Sequence, residues 1–351
     1  MNRILVTGGS GFIGSHTCLH LLSEGYDIYV IDSLINSSKK SIDRIKIFFK
    51  DDDRKFNNNI RLFKGDLKDK EFINNVFKIA QKDNNPIIGV IHFAGLKAVA
   101  ESVSKPFLYW ENNVIGSYNL IRSMKENNCR TIVFSSSATV YGVSSLDLLK
   151  EDSPLGSVNP YGTTKLTVEK LLNDINQNNS KNWRIAILRY FNPIGAHKSG
   201  LIGENPMQKP NNIFPIIINS AYEQKKLKVF GKDWDTYDGT CIRDYIHVMD
   251  LADGHLKALD FLFKNKPNLL TLNVGTGKGS SVLDLIKTFE KVNDIKVPYE
   301  FVNRREGDVC KLVADNKKVR SILNWSPKKS LEDMCRDGWK WKCLNPEGFS
   351  K

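Results

Sequence analysis

The sequence predicts an α/β protein: a doubly wound parallel sheet followed by a smaller mixed α/β C-terminal region. Three observations predict it. Continuous apolar runs of strand length alternate with helix-period segments through the first half of the chain. A glycine-rich turn joins the first of these runs to the first helix. After Phe191 the alternation gives way to Gly, Pro and Asn and to shorter elements. Strands that are apolar throughout are buried on both faces, which requires helices above and below a parallel sheet. Right-handed crossovers then wind the chain in both directions from its start.

Arg3 to Thr7 reads as a buried strand, and Ile13 to Leu22 as a helix that stops near Gly25. Ile28 to Asp32 and Ile60 to Phe63 are the second and third strands. Glu71 to Ala80 is helical, with Phe72, Val76, Phe77 and Ala80 on one face. Ile87 to Phe93 is the fourth strand, Phe107 to Met124 a long helix, and Thr131 to Ser135 the fifth strand. Tyr161 to Ile175 is helical and Arg184 to Arg189 is the sixth strand. Beyond them, Phe214 to Gln224, Leu251 to Phe263 and Val282 to Val292 read as helices, and Leu270 to Val274 as a strand. The segment Asn36 to Asn59, with Asp51-Asp52-Asp53 and Asn57-Asn58-Asn59, reads as a solvated insertion. The division expected is residues 1–180 for the first domain, with strand 184–190 returning to its sheet, and 191–351 for the second.

Composition narrows the function classes. The 351 residues are 41% hydrophobic and 26% charged, which suits a folded chain and not a disordered one. No apolar run approaches the ~18 residues of a membrane helix. The first strand begins at Arg3, which leaves no room for a signal peptide and suggests the cytoplasm. Six cysteines form no Cys-x-x-Cys pair, so neither a disulfide scaffold nor a zinc ribbon is expected. His16 and His20 are spaced for a zinc protease, but Thr17 stands where that motif needs Glu, so no metal is expected. The net charge of +12 is spread among Asn and acids without a basic, aromatic-lined groove, which argues against a nucleic-acid partner.

Gly8-Gly9-Ser10-Gly11-Phe12-Ile13-Gly14 follows the first strand and opens the first helix. A dinucleotide site needs a tight turn, close backbone approach to the pyrophosphate, and close helix–strand packing, and glycine permits all three. The pyrophosphate then sits on free N–H groups at the positive end of the helix dipole. Asp32 ends the second strand eighteen residues after Gly14, where a carboxylate accepts from the adenosine ribose hydroxyls. It would repel a ribose phosphate, and no Arg immediately follows it, so the expected cofactor is NAD and not NADP. The first domain is thus of Rossmann type.

Tyr161 and Lys165 lie four apart at the start of a helix and share a face. A free phenol is a poor base at neutral pH. A nearby ammonium and a positive nicotinamide ring both favour the phenolate. Ser135-Ser136-Ser137 stands at the carboxyl end of the fifth strand, where doubly wound sheets bind ligands. A serine there can share the moving proton.

Together these residues resemble an extended member of the short-chain dehydrogenase/reductase superfamily, and more narrowly the UDP-glucose 4-epimerase (UDP-galactose 4-epimerase) family. The likeness runs nearly end to end. It includes Val6 to His16, His92-Phe93-Ala94-Gly95-Leu96-Lys97-Ala98-Val99, Phe134 to Gly142, Leu188 to Pro193, Arg243 to Ala252 and Arg304-Arg305-Glu306-Gly307-Asp308. It implies that Gly8, Gly11, Phe12, Ile13, Gly14, Asp32, Ser33, Leu34, Ile35, Asn36 and Ser37 hold the pyrophosphate and adenosine side of NAD. Asp66 and Leu67 would flank the adenine. Phe93, Ala94, Gly95, Leu96, Lys97 and Asn112 would line the cofactor, with Lys97 near its nicotinamide end and Phe191 packed by that ring. Tyr161 would be the general base and acid, Lys165 would bind the nicotinamide ribose and tune it, and Ser137 would touch the sugar hydroxyl. Asn192, Asn212, Ile213, Lys228, Val229, Phe230, Arg243, Arg305 and Asp308 would bind the UDP-sugar. Arginine offers a planar fork suited to its diphosphate.

The activity implied is interconversion of UDP-glucose and UDP-galactose by transient oxidation at sugar C4, in a homodimer joined by helices near 106–124 and 161–175. Phe12 replaces the tyrosine often found in the glycine loop, and backbone contacts survive this. Leu312 stands where some bacterial relatives carry a pocket-narrowing tyrosine, which implies acceptance of N-acetylated sugars. An epimerase for UDP-pentoses is an open alternative. A 4,6-dehydratase would need an acid beside the strand-end serine, where Ala138-Thr139 stands instead. A non-catalytic dinucleotide sensor would have no use for a proton relay.

Overall fold

The computed structural model describes residues 2–50, 59–144, 146–179, 182–207, 210–305 and 307–350. The first strand β1 (Arg3–Thr7) leads through the glycine turn into α1 (Phe12–Ser23) and then β2 (Asp27–Asp32). Next come α2 (Lys39–Ile47), β3 (Ile60–Lys64), α3 (Lys70–Lys82) and β4 (Ile87–His92). Three short helical pieces follow: α4 (Val99–Ser104), α5 (Pro106–Tyr109), and α6 (Gly116–Glu126) beyond a π-helical segment at Trp110–Ile115. β5 (Thr131–Ser137), α7 (Pro160–Asn179) and β6 (Arg184–Tyr190) complete the first half.

The sheet has seven parallel strands. Its order reverses beside β1, with β2 and β3 on one side and β4, β5 and β6 on the other. That reversal opens a crevice at the carboxyl ends of β1 and β4. Every residue of β1, β2 and β5 is buried, as strands covered on both faces must be. Two apolar layers cover the sheet: Ile4, Val6, Leu21 and Leu259 belong to one, and Leu5, Phe77, Leu120 and Phe134 to the other.

The remaining elements are β7 (Asn192–Ile194), α8 (Ile213–Glu223), β8 (Leu227–Phe230), β9 (Ile242–Arg243), β10 (Tyr245–His247) and α9 (Val248–Lys264). They continue with β11 (Leu269–Val274), β12 (Ser280–Ser281), α10 (Val282–Asn293), β13 (Tyr299–Val302), β14 (Lys311–Leu312), α11 (Lys317–Leu323) and α12 (Leu331–Leu344). Small sheets β10–β7, β12–β9–β14 and β13–β8 carry the second part, over a core that includes Phe214, Ile217, Leu285, Phe289 and Met334. Among the described residues no helix is long and apolar enough to cross a membrane.

Three expectations need correction. First, β11 pairs with β6 as the seventh strand, and α9 packs beside α1 through His20–Asp253 at 3.2 Å and Tyr26–Asp260 at 2.7 Å. The chain therefore re-enters the first sheet well beyond residue 191, because β6 would otherwise expose an edge. Second, the insertion is not wholly solvated. Ser38 caps α2, and Ile42, Ile45 and Phe49 are buried, a narrow apolar face hidden among Lys and Asn. The Asp51-Asp52-Asp53 and Asn57-Asn58 part lies outside the described residues. Third, the helix expected over Phe107 to Met124 widens into a π turn where the Ser117 hydroxyl donates to the Asn113 carbonyl.

Helices α11 and α12 were not foreseen. A capping box announces α12: the Ser330 hydroxyl accepts from the Asp333 N–H at 3.1 Å while Asp333 accepts from the Ser330 N–H at 3.0 Å.

Candidate active site

The glycine turn leaves no room for side chains. Gly8 sits at φ +69°, and a Cβ there would lie 2.7 Å from the Ala94 nitrogen. A Cβ on Gly14 would lie 2.2 Å from the Gly8 carbonyl oxygen. These two positions press the start of α1 against the ends of β1 and β4. Gly11 caps α1 without a side-chain hydrogen bond, so the N-terminal amides are not covered by a cap.

Asp32 organises the next corner. Its Oδ2 accepts from the Ser10 N–H at 2.9 Å, and its Oδ1 from the Leu34 N–H at 2.9 Å and the Ser37 hydroxyl at 2.7 Å. The carboxylate is thereby fixed at the end of β2 with lone-pair capacity to spare. One cleft is lined by Gly8, Gly11 to Gly14, Asp32, Ser33, Ile35 to Ser37, Asp66, Leu67, Phe93 to Lys97, Asn112, Tyr161 and Lys165. Most of the residues expected to hold the cofactor thus share one cavity. Leu34 does not line it and instead turns the backbone at φ +60°. The buried Ser10 hydroxyl lacks a partner among the described residues. An extended crevice, glycine cradle, bare helix end, fixed carboxylate and orphaned hydroxyl together fit a dinucleotide.

Tyr161 and Lys165 reach the cleft from the first turns of α7, which starts at Pro160, a residue suited to that position. The Asn159 side chain accepts from the Gly162 N–H at 2.9 Å and anchors the turn. Lys165 Nζ donates to the Ser135 carbonyl at 2.9 Å, and burial pulls its pKa down to about 8, against the raising pull of Glu169. Burial raises the Tyr161 phenol, and a hydrogen bond with Ser137 opposes that rise. In the chain alone, desolvation therefore outweighs the ammonium that was expected to acidify the phenol. The ammonium is itself buried and turned toward a carbonyl. Ser137 also accepts from the Thr139 hydroxyl at 3.0 Å.

Several functional positions were not singled out from the sequence. Asn113 faces inward from the π turn: its Oδ1 accepts from the Leu96 N–H at 2.8 Å, and its Nδ2 donates to the Leu96 carbonyl and Thr164 Oγ1, both at 3.0 Å. It staples the loop after β4 to the Tyr161 helix. Periodicity cannot show this, because the extra residue per turn is made by the contact itself. His92 bridges Thr7 and Ser117 at 2.7 and 2.8 Å. Ser117 spends its proton on Asn113, so the network assigns the His92 proton to Nε2. Burial, helped by the Lys165 charge, pushes His92 down to about 3 and keeps it neutral. Tyr190, not Phe191, lines the cleft. Phe191 instead packs with Ala138, Val140, Tyr141 and Leu149, because successive residues leaving β6 point to opposite sides.

The residues expected to hold the sugar nucleotide form a looser group. Arg243 and Leu312 pair across β9 and β14. Arg305 donates to Asp308 at 2.7 Å and lies 5.4 Å from the Phe230 ring centre, while Arg243 approaches Asp308 at 3.8 Å. Asn192 Oδ1 is buried and has no partner among the described residues. Asn212 starts α8 and lines an adjoining cavity with Lys97 and Asn112. Lys228 is exposed on β8. The Val229 side chain is buried in the second core, so a ligand could meet only its backbone, while Ile213 is half-buried against that core. His16 is fully engaged: Nδ1 bonds the Phe12 carbonyl at 2.7 Å and Nε2 accepts from the His197 N–H at 3.1 Å.

Comparisons with known proteins agree with this geometry. Residues 5–338 match the family described as GDP-mannose 4,6 dehydratase. A UDP-glucose 4-epimerase of Bacillus subtilis (strain 168) is 47% identical over 347 residues, covering 99% of this chain and 98% of the relative. A crystal structure of UDP-glucose 4-epimerase from Bifidobacterium longum, in complex with NAD+ and UDP, superposes with a TM-score of 0.91 at 41% identity, covering 99% of this chain and 100% of that one. The UDP-Glc/GlcNAc 4-epimerase of Campylobacter jejuni superposes at 0.82 with 34% identity, over 98% of this chain and 100% of that one.

Proposed function

The chain belongs to the UDP-glucose 4-epimerase family, an NAD-dependent group within the GDP-mannose 4,6 dehydratase family, and from that premise we propose that Tyr161 moves the proton in its reaction. The reaction is an isomerisation that interconverts UDP-glucose and UDP-galactose. NAD supplies, when bound, the acceptor for hydride from sugar C4 and the donor that returns it to the other face.

The chain's own residues do the rest. Tyr161 Oη takes the proton of the sugar 4-hydroxyl as C4 loses hydride, and gives it back when the ketone is reduced. Ser137 shares that proton, since it lies near enough to the phenol to oppose the rise that burial imposes on it. The phenolate is costly where Tyr161 is buried, so Lys165 and the positive ring must offset the desolvation. Arg243 and Arg305 hold the diphosphate, and Asn192 offers its unpartnered Oδ1 to the sugar nucleotide. With the nucleotide anchored at a distance, the freed 4-keto sugar can turn over between hydride transfers. A dehydratase acid has no counterpart beside Ser137, where Ala138 and Thr139 follow.

The observation that carries this reading is the convergence of Tyr161, Lys165 and the glycine turn on one cleft. Its test is a coupled assay for UDP-glucose formed from UDP-galactose by the purified protein. Absence of conversion with NAD supplied would defeat it. The panel extends to N-acetylated and pentose UDP-sugars. Leu312 is smaller than a tyrosine and packs against the cluster that includes Phe191 and Tyr141, which supports turnover of UDP-N-acetylglucosamine. Leu312→Tyr is expected to suppress N-acetyl turnover about tenfold or more and to spare UDP-galactose by comparison. Equal losses on both sugars would refute the role of Leu312.

The protein further acts as a homodimer in this reading. Val103, Phe107, Ile115 and Tyr118 are 63%, 84%, 49% and 47% exposed along α4 to α6, an apolar face suited to a second copy of the chain. Phe107→Glu is expected to shift the sedimenting species from dimer to monomer. An unaltered protein that sediments as a monomer would remove the proposal. Six free cysteines support a reducing, cytoplasmic location.

A further inference from the structure

A strap of chain lines the dinucleotide cleft, and it is fastened from behind by residues that take no part in the chemistry above. Gly203, Glu204, Asn205 and Pro206 line the cleft together with Phe349, near the other end of the chain. Three bonds tie the strap to its surroundings. The Met207 N–H donates to Asn36 Oδ1 at 3.3 Å, Lys97 Nζ donates to Glu204 Oε1 at 3.1 Å, and Trp341 Nε1 donates to the Glu204 carbonyl at 3.1 Å.

Behind the strap three remote segments meet. Arg44, from α2, donates to the Leu201 carbonyl at 3.1 Å and to Asn345 Oδ1 at 2.5 Å. Its guanidinium carbon lies 5.0 Å from the centre of the Phe349 ring and 5.4 Å from that of Trp341, and those rings meet at 4.9 Å with their planes tilted by 53°. Asn345 Nδ2 donates back to the Gly200 carbonyl at 2.8 Å. The fit leaves no slack: a Cβ on Gly203 would lie 2.4 Å from the Trp341 ring, and one on Gly348 would lie 1.9 Å from Asn205. Trp341 and Phe349 are 4% and 6% exposed.

We propose that Arg44, Trp341 and Phe349 clasp the strap 203–206 over the bound dinucleotide and set how long it stays between turnovers. The inference rests on reading the cleft as the NAD site. Phe349 acts at the cleft surface, and Arg44 is a positioning residue that acts through it. The reaction has physical use for such a device. Hydride leaves and returns within one cycle, so no step requires cofactor release, and a residence time longer than the cycle wastes nothing. Tight packing of this kind changes dissociation more than association.

The test measures NAD in the full-length protein. Wild type, Arg44→Met, Phe349→Ala and a chain ended after Glu347 are purified without added cofactor. Bound NAD is released by acid and counted. Its spontaneous release is timed with an alcohol dehydrogenase trap. Release about tenfold or more faster is expected in each variant, with lower NAD content and turnover that now depends on added NAD. Phe349→Leu, which keeps an apolar plug, is expected to recover most of the retention, a rescue that general loosening of the fold would not give. Should Arg44→Met fold poorly, the two C-terminal variants decide the matter. Variants that melt at the wild-type temperature and keep wild-type content and release rate would overturn the clasp alone. A wild type that holds no NAD, and binds none when it is added, would overturn the reading of the cleft and the clasp with it.

Discussion

Tyr161→Phe is expected to lower kcat for galactose-to-glucose interconversion by a factor of about 100 to 10,000, with NAD content and thermal stability kept. The phenyl ring fills the same space, and only the proton carrier is lost. The factor corresponds to about 3–5 kcal/mol of transition-state stabilisation. Burial keeps the phenol neutral in the fold, so its removal leaves no buried charge unpaired. The measurement is steady-state turnover beside released nucleotide per chain. Undiminished turnover would show that another group carries the proton. Loss of NAD together with activity would show that the phenol holds the cofactor instead.

Glu169→Ala is expected to destabilise the native state by about 3–5 kcal/mol, read from urea unfolding. Glu169 and Arg189 are 2% and 4% exposed. Arg189 Nη2 reaches Glu169 Oε2 at 2.6 Å and its Nε reaches Oε1 at 3.0 Å, while the Ser136 hydroxyl donates to the same carboxylate. The other guanidinium nitrogen donates to Tyr141 Oη and to the Glu151 carbonyl, both at 3.0 Å. Tyr141 in turn donates to Asn273 Oδ1 at 2.6 Å. This network joins β5, α7, β6 and β11 directly behind Ser137 and Lys165. Alanine at 169 would strand a buried guanidinium. Replacing both partners, Glu169→Leu with Arg189→Met, is expected to recover much of the loss, since no charge is then left unpaired. A loss under about 1 kcal/mol in the single variant would mean that water reaches Arg189.

The same helix shows what kind of information each level holds. Tyr161 and Lys165 lie four residues apart, so their shared face was legible in the sequence. That Lys165 spends its ammonium on the Ser135 carbonyl, and that burial raises the phenol, was not. Solvation depends on everything packed around a group, which no local pattern records. The π turn at Trp110–Ile115 is a similar case. Its apolar spacing reads as ordinary helix, and the bulge arises from Asn113 and Ser117 answering to Leu96, Thr164 and His92.

By itself the sequence determined the doubly wound sheet, the glycine cradle with Asp32, and the Tyr-Lys pair. Each is written in short-range terms: strand and helix periods, residues that tolerate close backbone approach, and side chains one helical turn apart. Only the tertiary structure decided that β11 completes the first sheet with α9 packed on it, that Tyr190 and not Phe191 faces the cleft, and that residues 203–206 and Phe349 line it. Those facts join positions as distant as Arg44 and Phe349, and they exist only because chain segments with no sequence relation must fill the same space without voids.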